Sequence, residues 1–390
     1  MTEQPKDRGD NVPKSKVTMI DIARQTGVSQ STVSLILSGK ESHSFSPETV
    51  RRVKAVADQL GYQKRWAGPA EKRTIMVLSV NYSNPYYCEL LQGIEAEAAD
   101  KNYNVISCNT HRNPRQESQY LEMALSMKLW GIIVLFQPQQ TELFGEVVRK
   151  IPAVCICDRE DAPAVDIIEM NNVTSGRLLI DYLYSLGHQK IALITSSLGE
   201  NKGRFARMDG LRLQMERLGL KENFSVIMDE GGHATEIRDF YSDYHIGYRL
   251  MQDEALYKSG TTAFVCTNDM VAFGAMDAIL ERGYRIPEDF SLCGFDNLLY
   301  AQFSPVSLTS VDHGLLVKGK SAFELLLRKV EALEANGSGI IQSDIFRIEF
   351  LPKLIIRDST GPASPLTAAG KPPKSAAPKT VINPHSGWLK

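Results

Sequence analysis

Val17-Thr18-Met19-Ile20-Asp21-Ile22-Ala23-Arg24-Gln25-Thr26-Gly27-Val28-Ser29-Gln30-Ser31-Thr32-Val33-Ser34-Leu35-Ile36-Leu37 contains two helix starts and one helix stop. Thr18 places a hydroxyl at an N-cap with the Asp21 carboxylate three positions on, a variant of the capping box that satisfies exposed amides. Gly27 is free to take the left-handed conformation that ends this helix, and Ser29 caps a new one two residues later. Helices joined by so tight a turn cannot lie end to end, so the stretch predicts the corner of a helix-turn-helix. In the second helix Val33, Ile36 and Leu37 follow the i, i+3, i+4 rule and face inward, leaving Gln30, Ser31, Ser34 and Leu35 on other faces. Ser46 as N-cap and Pro47 at the first helical position open a third helix, with Val50, Val53, Ala57 and Leu60 inward and Gly61 as its stop. Three short helices sharing one core are predicted over residues 17–62, after a disordered arm at 1–16.

Working outward, the charge is uneven. Lys14 to Arg73 carries 11 Lys and Arg against 5 acids, whereas the whole chain is −2, so a polyanion is drawn to one end of the molecule. A chain of 390 residues, 43% hydrophobic, has room for two or three cores. Apolar runs such as Gly131 to Phe136 are strand-length, far below the ~18 residues that cross a bilayer, and Met1 to Asn11 lacks a signal-peptide apolar region. No membrane association and a cytoplasmic, nucleoid-associated location are expected. Cys155, Cys157, Cys266 and Cys293 lie in apolar stretches without CxxC spacing, which reads as buried thiols in a reducing compartment, with no metal and no cofactor.

From Thr74 onward, apolar runs alternate with helical segments: Ile75 to Val80, Val105 to Cys108, Ile132 to Phe136, Val154 to Cys157, Ile191 to Thr195, Ala263 to Cys266 and Leu292 to Phe295. This alternation predicts an α/β domain of parallel sheets covered by helices, whose ligands gather where strands end. After the first run come Tyr86 and Tyr87, which either stack on a ligand ring or cap the sheet. Beyond Thr195 come Arg204 and Arg207, with Gly210 permitting close helix packing. Asn268-Asp269 and Asp296-Asn297 each set an amide beside a carboxylate at a strand end, a pairing suited to the hydroxyls of sugars or nucleosides. Asp269 serves equally as a helix cap.

The ordered string Val17 to Ala23, Gly27-Val28-Ser29, Ser31-Thr32-Val33-Ser34 and Leu60-Gly61-Tyr62 resembles the DNA-binding headpiece of the lac repressor (LacI/GalR) family of bacterial transcription regulators. The resemblance implies that the second helix lies in the major groove with Gln30 and Ser31 toward base edges, and with Ser34 and Leu35 on the same DNA-facing surface. Thr18, Ser29, Thr32 and Ser38 then hold phosphates. Many members carry Arg where Leu35 stands; leucine offers only apolar contact, for instance with a thymine methyl, so the operator is expected to differ there. The chain also resembles the family's sensor core from Thr74 to about Thr360, through Ser83-Asn84-Pro85, Leu186-Gly187-His188, Arg207 with Gly210, Asn268-Asp269, Ile286-Pro287-Glu288-Asp289, Gly294-Phe295-Asp296, Leu308 to Val311 and Arg357 to Thr360. That core is a two-lobed, periplasmic-binding-protein-like fold with three crossovers and a cleft. By resemblance Arg207, Asn268 and Asp296 hydrogen-bond the effector and Tyr86 and Tyr87 flank it; Arg204 is a further candidate from its place after the Ile191 to Thr195 run. Asn171-Asn172 stands where Asp-Asn is usual, and Ser175 where glycine is common.

The linker Gln63 to Arg73 is short, broken by Gly68-Pro69, and lacks the leucine with which the family wedges the minor groove. Trp66 either intercalates in its place or packs on the headpiece, and Lys64 and Arg65 reach toward the duplex backbone. The expected organisation is a headpiece at 17–62, a hinge at 63–73 and a core at 74–358. Within the core, one lobe is expected over about 74–188 and 309–338, the other over about 189–308 and 339–358. A disordered tail is expected at 359–390, since residues 361–390 hold six prolines, four lysines and no acids. The expected function is a sequence-specific DNA-binding regulator, a repressor, modulated by a sugar or related metabolite. Its expected partners are double-stranded DNA with a palindromic operator, the small-molecule effector and its own copies, as homodimer or tetramer. An enzyme is disfavoured because no GxGxxG follows the opening strand and no GxSxG occurs. A solute-binding sensor fits the core but not the basic headpiece. A constitutive DNA-bending protein is the remaining alternative.

Overall fold

Caps dictate where the first helices begin. In the computed structural model, which describes residues 17–37, 45–60, 73–157, 165–197, 202–229, 241–336 and 344–364, the backbone N–H and hydroxyl of Thr18 both donate to Asp21 Oδ2, at 2.8 and 2.7 Å. They start α1 (Met19–Thr26), which Gly27 ends at φ +70° while its N–H donates to Ala23 O. Ser29 Oγ accepts from Thr32 N–H at 3.1 Å and starts α2 (Gln30–Leu37); Ser46 Oγ does the same for Thr49 and α3 (Pro47–Gln59). Ile22, Val33, Ile36, Val53 and Ala57 are buried together, with Phe45, Val50 and Leu60 packed on their edge. The headpiece belongs to one compact unit, residues 1–71; residues 72–390 form the other.

The second unit holds two six-stranded sheets. The first is built from β1 (Arg73–Ser79), α4 (Pro85–Asp100), β2 (Tyr103–Asn109), α5 (Pro114–Ser126), β3 (Gly131–Val134), α6 (Thr141–Lys150), β4 (Ala153–Ile156) and β5 (Asp166–Met170). The chain then crosses into α7 (Asn172–Ser185), β6 (Ile191–Thr195), α8 (Lys202–Arg217), β7 (Phe224–Met228), α9 (Ser242–Leu250), α10 (Glu254–Lys258), β8 (Ala263–Cys266), α11 (Asp269–Glu281), β9 (Ser291–Asp296) and β10 (Thr309–Asp312). It returns through α12 (Leu315–Asn336) and β11 (Arg347–Phe350), and crosses a third time into β12 (Lys353–Ile355). Strand order is β11-β5-β4-β3-β1-β2 in the N-lobe and β12-β10-β9-β8-β6-β7 in the C-lobe. The pairings are parallel except β10 with β12. The seven predicted runs all lie on strands, and the two-lobed α/β fold is as expected. Strands β5, β7, β10, β11 and β12 escape the reading, because their runs are short or only half apolar.

The lobe limits differ from expectation at all three crossovers. Helix α7 belongs to the C-lobe rather than the N-lobe: a Cβ on Gly210 would lie 2.2 Å from Val173 O and one on Gly176 2.5 Å from Arg207 O, so α7 and α8 touch backbone to backbone. Residues 309–312 pair with β9 in the C-lobe, and residues 347–350 pair with β5 in the N-lobe. An apolar period tells that a segment covers or joins a sheet, not which sheet, because pairing is settled by partners far away in sequence. The tail also starts later than expected. Ser359 is fully buried, its hydroxyl donating to Leu292 O at 2.6 Å, and His188 Nε2 lies 3.1 Å from Gly361 O, so residues 359–364 close the C-lobe. The arm 1–16 and residues 365–390 lie outside the described residues. No helix among the described residues is long and apolar enough to cross a membrane.

Helices α4 and α12 are locked by the same device. A Cβ on Gly319 would sit 2.1 Å from Leu90 O, and one on Gly93 2.2 Å from Leu316 O. Gly319→Ala is expected to force the helices apart and cost about 1–3 kcal/mol, the usual range for overpacking. Gly145→Ala, whose Cβ would meet only the Arg149 guanidinium at 3.7 Å, is expected to leave stability unchanged or slightly raised. Paired thermal unfolding curves check both.

Candidate functional site

Two surfaces gather the chemistry. On the headpiece, α2 buries Val33 and Ile36 and leaves Gln30, Ser31, Ser34 and Leu35 exposed, Leu35 to 42%. The Ser29 hydroxyl lies 2.7 Å from that of Ser31 and 2.8 Å from that of Thr32, which concentrates hydroxyls at the helix start. Thr18 is exposed at the head of α1, and Arg51, Arg52 and Lys54 are exposed on α3. A helix presenting an amide, several hydroxyls and one isobutyl group can read base edges and a thymine methyl in a major groove. Ser38, Lys64, Arg65 and Trp66 lie outside the described residues.

In the second unit a recess opens where the crossovers pass between the lobes. Its empty space is about 250 Å3 including the open mouth. Tyr86 of α4 and Glu169 of β5 line one side, Asn172 and Arg207 the other, and His313 and Lys318 close it where β10 leads into α12. Arg207 organises the wall. Its Nε donates to Asn172 Oδ1 at 2.8 Å and its Nη1 to Thr267 O at 2.7 Å, while its guanidinium lies 5.1 Å over the Phe295 ring. Asp296 Oδ1 stands 3.5 Å from Arg207 Nη2 and 3.0 Å from His313 Nδ1. Neither contact has the alignment of a hydrogen bond, and that oxygen makes none among the described residues.

His313 is 1% exposed, and its Nε2 finds no hydrogen-bond partner among the described residues. Burial, then the Arg207 and Lys318 charges, hold its pKa well below the ordinary imidazole value, so the ring is neutral and offers one nitrogen as acceptor or donor. Lys318 is 2% exposed and lies 5.7 Å over the Phe350 ring. A buried imidazole nitrogen of this kind can donate to or accept from a molecule in the recess.

The sequence-predicted residues fall into three groups. Tyr86 and Arg207 line the recess, and Asp296 stands behind Arg207 and His313. Arg204 and Asn268 meet at a buried carboxylate the sequence did not single out: Arg204 Nη2 lies 3.3 Å from Asp243 Oδ1, and Asn268 Nδ2 donates to Asp243 Oδ2 at 2.8 Å. Arg204 also donates to Ser196 Oγ. Tyr87 packs against the N-lobe apolar clusters, edge-on to Tyr86 at 5.2 Å. Asn268 is the cap of α11, accepting from Val271 N–H at 2.9 Å. Asp269 instead accepts from Leu298 N–H at 2.8 Å and Ser310 Oγ at 2.6 Å, pinning the turn after β9. Of the unusual pair, Asn171 caps α7 and Asn172 holds Arg207. His313 escapes the reading because its strand does; the rule that ligands gather after strands would have reached it. Lys318 gives no local signal, since a lysine inside an apolar helix face reads as a surface residue.

With this geometry in hand, the likeness to other proteins is specific. Residues 18–64 match the family described as bacterial regulatory proteins, lacI family, and residues 180–360 match a periplasmic binding protein-like domain. The HTH-type transcriptional repressor PurR of Haemophilus influenzae is 28% identical over 349 residues, spanning 88% of this chain and 98% of that protein. A LacI family transcriptional regulator from Silicibacter pomeroyi superposes with a TM-score of 0.65 at 25% identity, over 88% of this chain and 99% of that one. The lac repressor dimer bound to operator and the anti-inducer ONPF superposes with a TM-score of 0.64 at 21% identity, over 89% of this chain and 100% of that one.

Asp296 yields a pH test. Burial pushes its carboxyl up to about 7 against the pull of Arg207, so the folded state prefers the neutral acid. A folded pKa above the unfolded value means that the contribution to stability is full below pH ~4 and is lost as pH rises through about 7. Asp296→Asn keeps a neutral side chain at every pH. Its thermal midpoint relative to the unsubstituted protein is expected to climb between pH 5 and 7 and to level off above that. A relative midpoint that falls over that range would show that pairing with Arg207 outweighs burial.

Proposed function

The chain belongs to the lacI family of bacterial regulatory proteins, and from that premise we propose that it is a sequence-specific transcriptional repressor whose hold on its operator is set by a small molecule in the recess between the lobes. The observation that carries the reading is the union, in one chain, of an exposed helix able to read base edges and a polar recess built from both lobes. Gln30 and Ser31 contact bases, Ser34 and Leu35 complete that surface, and Thr18, Ser29 and Thr32 meet phosphates. Leu35 selects a thymine methyl rather than a guanine edge. The core pairs two copies, so the operator is palindromic. The protein works in the cytoplasm on chromosomal DNA and catalyses no reaction.

The recess offers hydrogen-bonding groups of both kinds, the Glu169 carboxyl and the Asn172 amide beside Arg207 and a neutral His313, which suits a molecule rich in hydroxyls, of the sugar class. Arg207 donates to the effector, the free nitrogen of His313 meets one of its hydroxyls, and Tyr86 covers it. Because these groups come from both lobes, the effector favours one lobe spacing over another, and its influence on DNA cannot exceed that preference.

Selecting duplexes from the organism's own genome with the intact protein tests the reading. Specific fragments are expected to bind with a steep loss of affinity as salt rises. Gln30→Ala is expected to weaken them by roughly 1–3 kcal/mol while sparing non-specific duplex. In titrations with pentoses and hexoses, Arg207→Ala is expected to abolish the shift in operator affinity that one of them causes. Binding that is flat with salt, or no preference among fragments, defeats the proposal.

A further inference from the structure

Arg73 is the first residue of β1, where the linker enters the core, and it is held by side chains from three other parts of the N-lobe. Its Nη2 donates to Glu334 Oε1 at 2.8 Å, in the last turn of α12. Its Nη1 donates to the Tyr103 hydroxyl at 3.1 Å, at the start of β2. Its guanidinium carbon lies 4.3 Å from the centre of the Trp130 ring, just ahead of β3. The backbone of Trp130 is tied to β1, its main-chain N–H donating to Thr74 O at 2.8 Å. An exposed ion pair alone is worth little, and this one is 37% and 41% exposed. A guanidinium that stacks on an indole while bonding two oxygens is a different object, because its planar fork is immobilised from the face and from both ends.

The other end of α12 lies at the recess. Lys318 lines it in the helix's first turn, and His313 stands just before the helix. From Lys318 to Glu334 the helix runs about 24 Å at 1.5 Å per residue. Over its first half it cannot slide on α4, because Gly93 and Gly319 bring the two backbones into contact. Tyr103 adds a second link, its ring edge-on to Phe323 of α12 at 5.3 Å. One rigid helix therefore has the effector recess at its start and the linker's anchor at its end.

We propose that Arg73, clasped by Trp130, Tyr103 and Glu334, is a positioning residue that fixes where the linker leaves the core, so that α12 delivers the state of the recess to the headpiece. The proposal rests on the regulator reading above. A change in the core, away from the DNA-reading helix, then alters operator binding.

The test measures affinity for a duplex selected by the unsubstituted full-length protein, beside the thermal midpoint of each variant. Glu334→Gln and Arg73→Lys are each expected to weaken operator binding about tenfold with the midpoint unchanged. The exchange Arg73→Glu with Glu334→Arg is expected to recover most of the loss. If Arg73 merely touched a phosphate, Arg73→Lys would be silent and Glu334→Gln, which removes a negative charge, would strengthen binding; that pattern overturns the proposal. So does a lowered midpoint with operator affinity within twofold of the original. Should the unsubstituted protein select no duplex at all, the regulator reading fails and takes the clasp with it; selection with indifferent variants fells the clasp alone.

Discussion

A guanidinium only 12% exposed needs partners for most of its donors, and the core is arranged around meeting that demand for Arg207. Asn172 from α7, the Thr267 carbonyl after β8, His313 after β10 and Asp296 at the end of β9 converge on it. Each of these groups lies where a strand ends or a helix begins, so the arginine ties together the chain segments that pass between the lobes. The cost of burying its charge is large unless the partners hold their places. Asp296 holds its place through the turn after it. Asn297, at φ +54°, donates its N–H to Ser310 Oγ, and Arg357 Nη2 donates to Asn297 Oδ1. Asp269 fixes Ser310 and Leu298 from beneath, and Leu298 inserts into the apolar cluster of the other lobe.

Rigidity elsewhere is provided by glycine rather than by bulk. Three helix pairs, α4 with α12, α7 with α8 and α9 with α11, meet at glycines whose missing Cβ lets carbonyl oxygens approach within the space a methyl would fill. Close-packed pairs of this kind move as units or not at all, because sliding one residue along would collide side chains with backbone. The lobes are thus stiff bodies joined at the three crossovers, and the recess lies at that joint.

How much of this the chain announces depends on the range of the interaction concerned. The headpiece was legible almost residue by residue, because caps at Thr18, Ser29 and Ser46 and the stop at Gly27 act over three or four positions. The two-lobed core was legible from alternating apolar runs, but its lobe limits were not: α7 and β10 declare their type locally and their sheet only by contact. Arg207 and Asp296 were visible as polar residues after strands. Asp243, His313 and Lys318 were not, since each acquires its meaning from groups far off in sequence.

The recess and the reading helix lie in separate compact units, which constrains any mechanism. A metabolite contacting Tyr86 on one lobe and Arg207 on the other can act only by altering the relative stability of lobe arrangements. Such an alteration is worth no more than the difference between its contacts in the two states. To change operator affinity tenfold it must supply about 1.4 kcal/mol of that difference, within reach of one charge-assisted hydrogen bond. One such bond, for instance at the His313 nitrogen that has no partner among the described residues, is therefore enough, provided the rest of the core is too stiff to absorb the change.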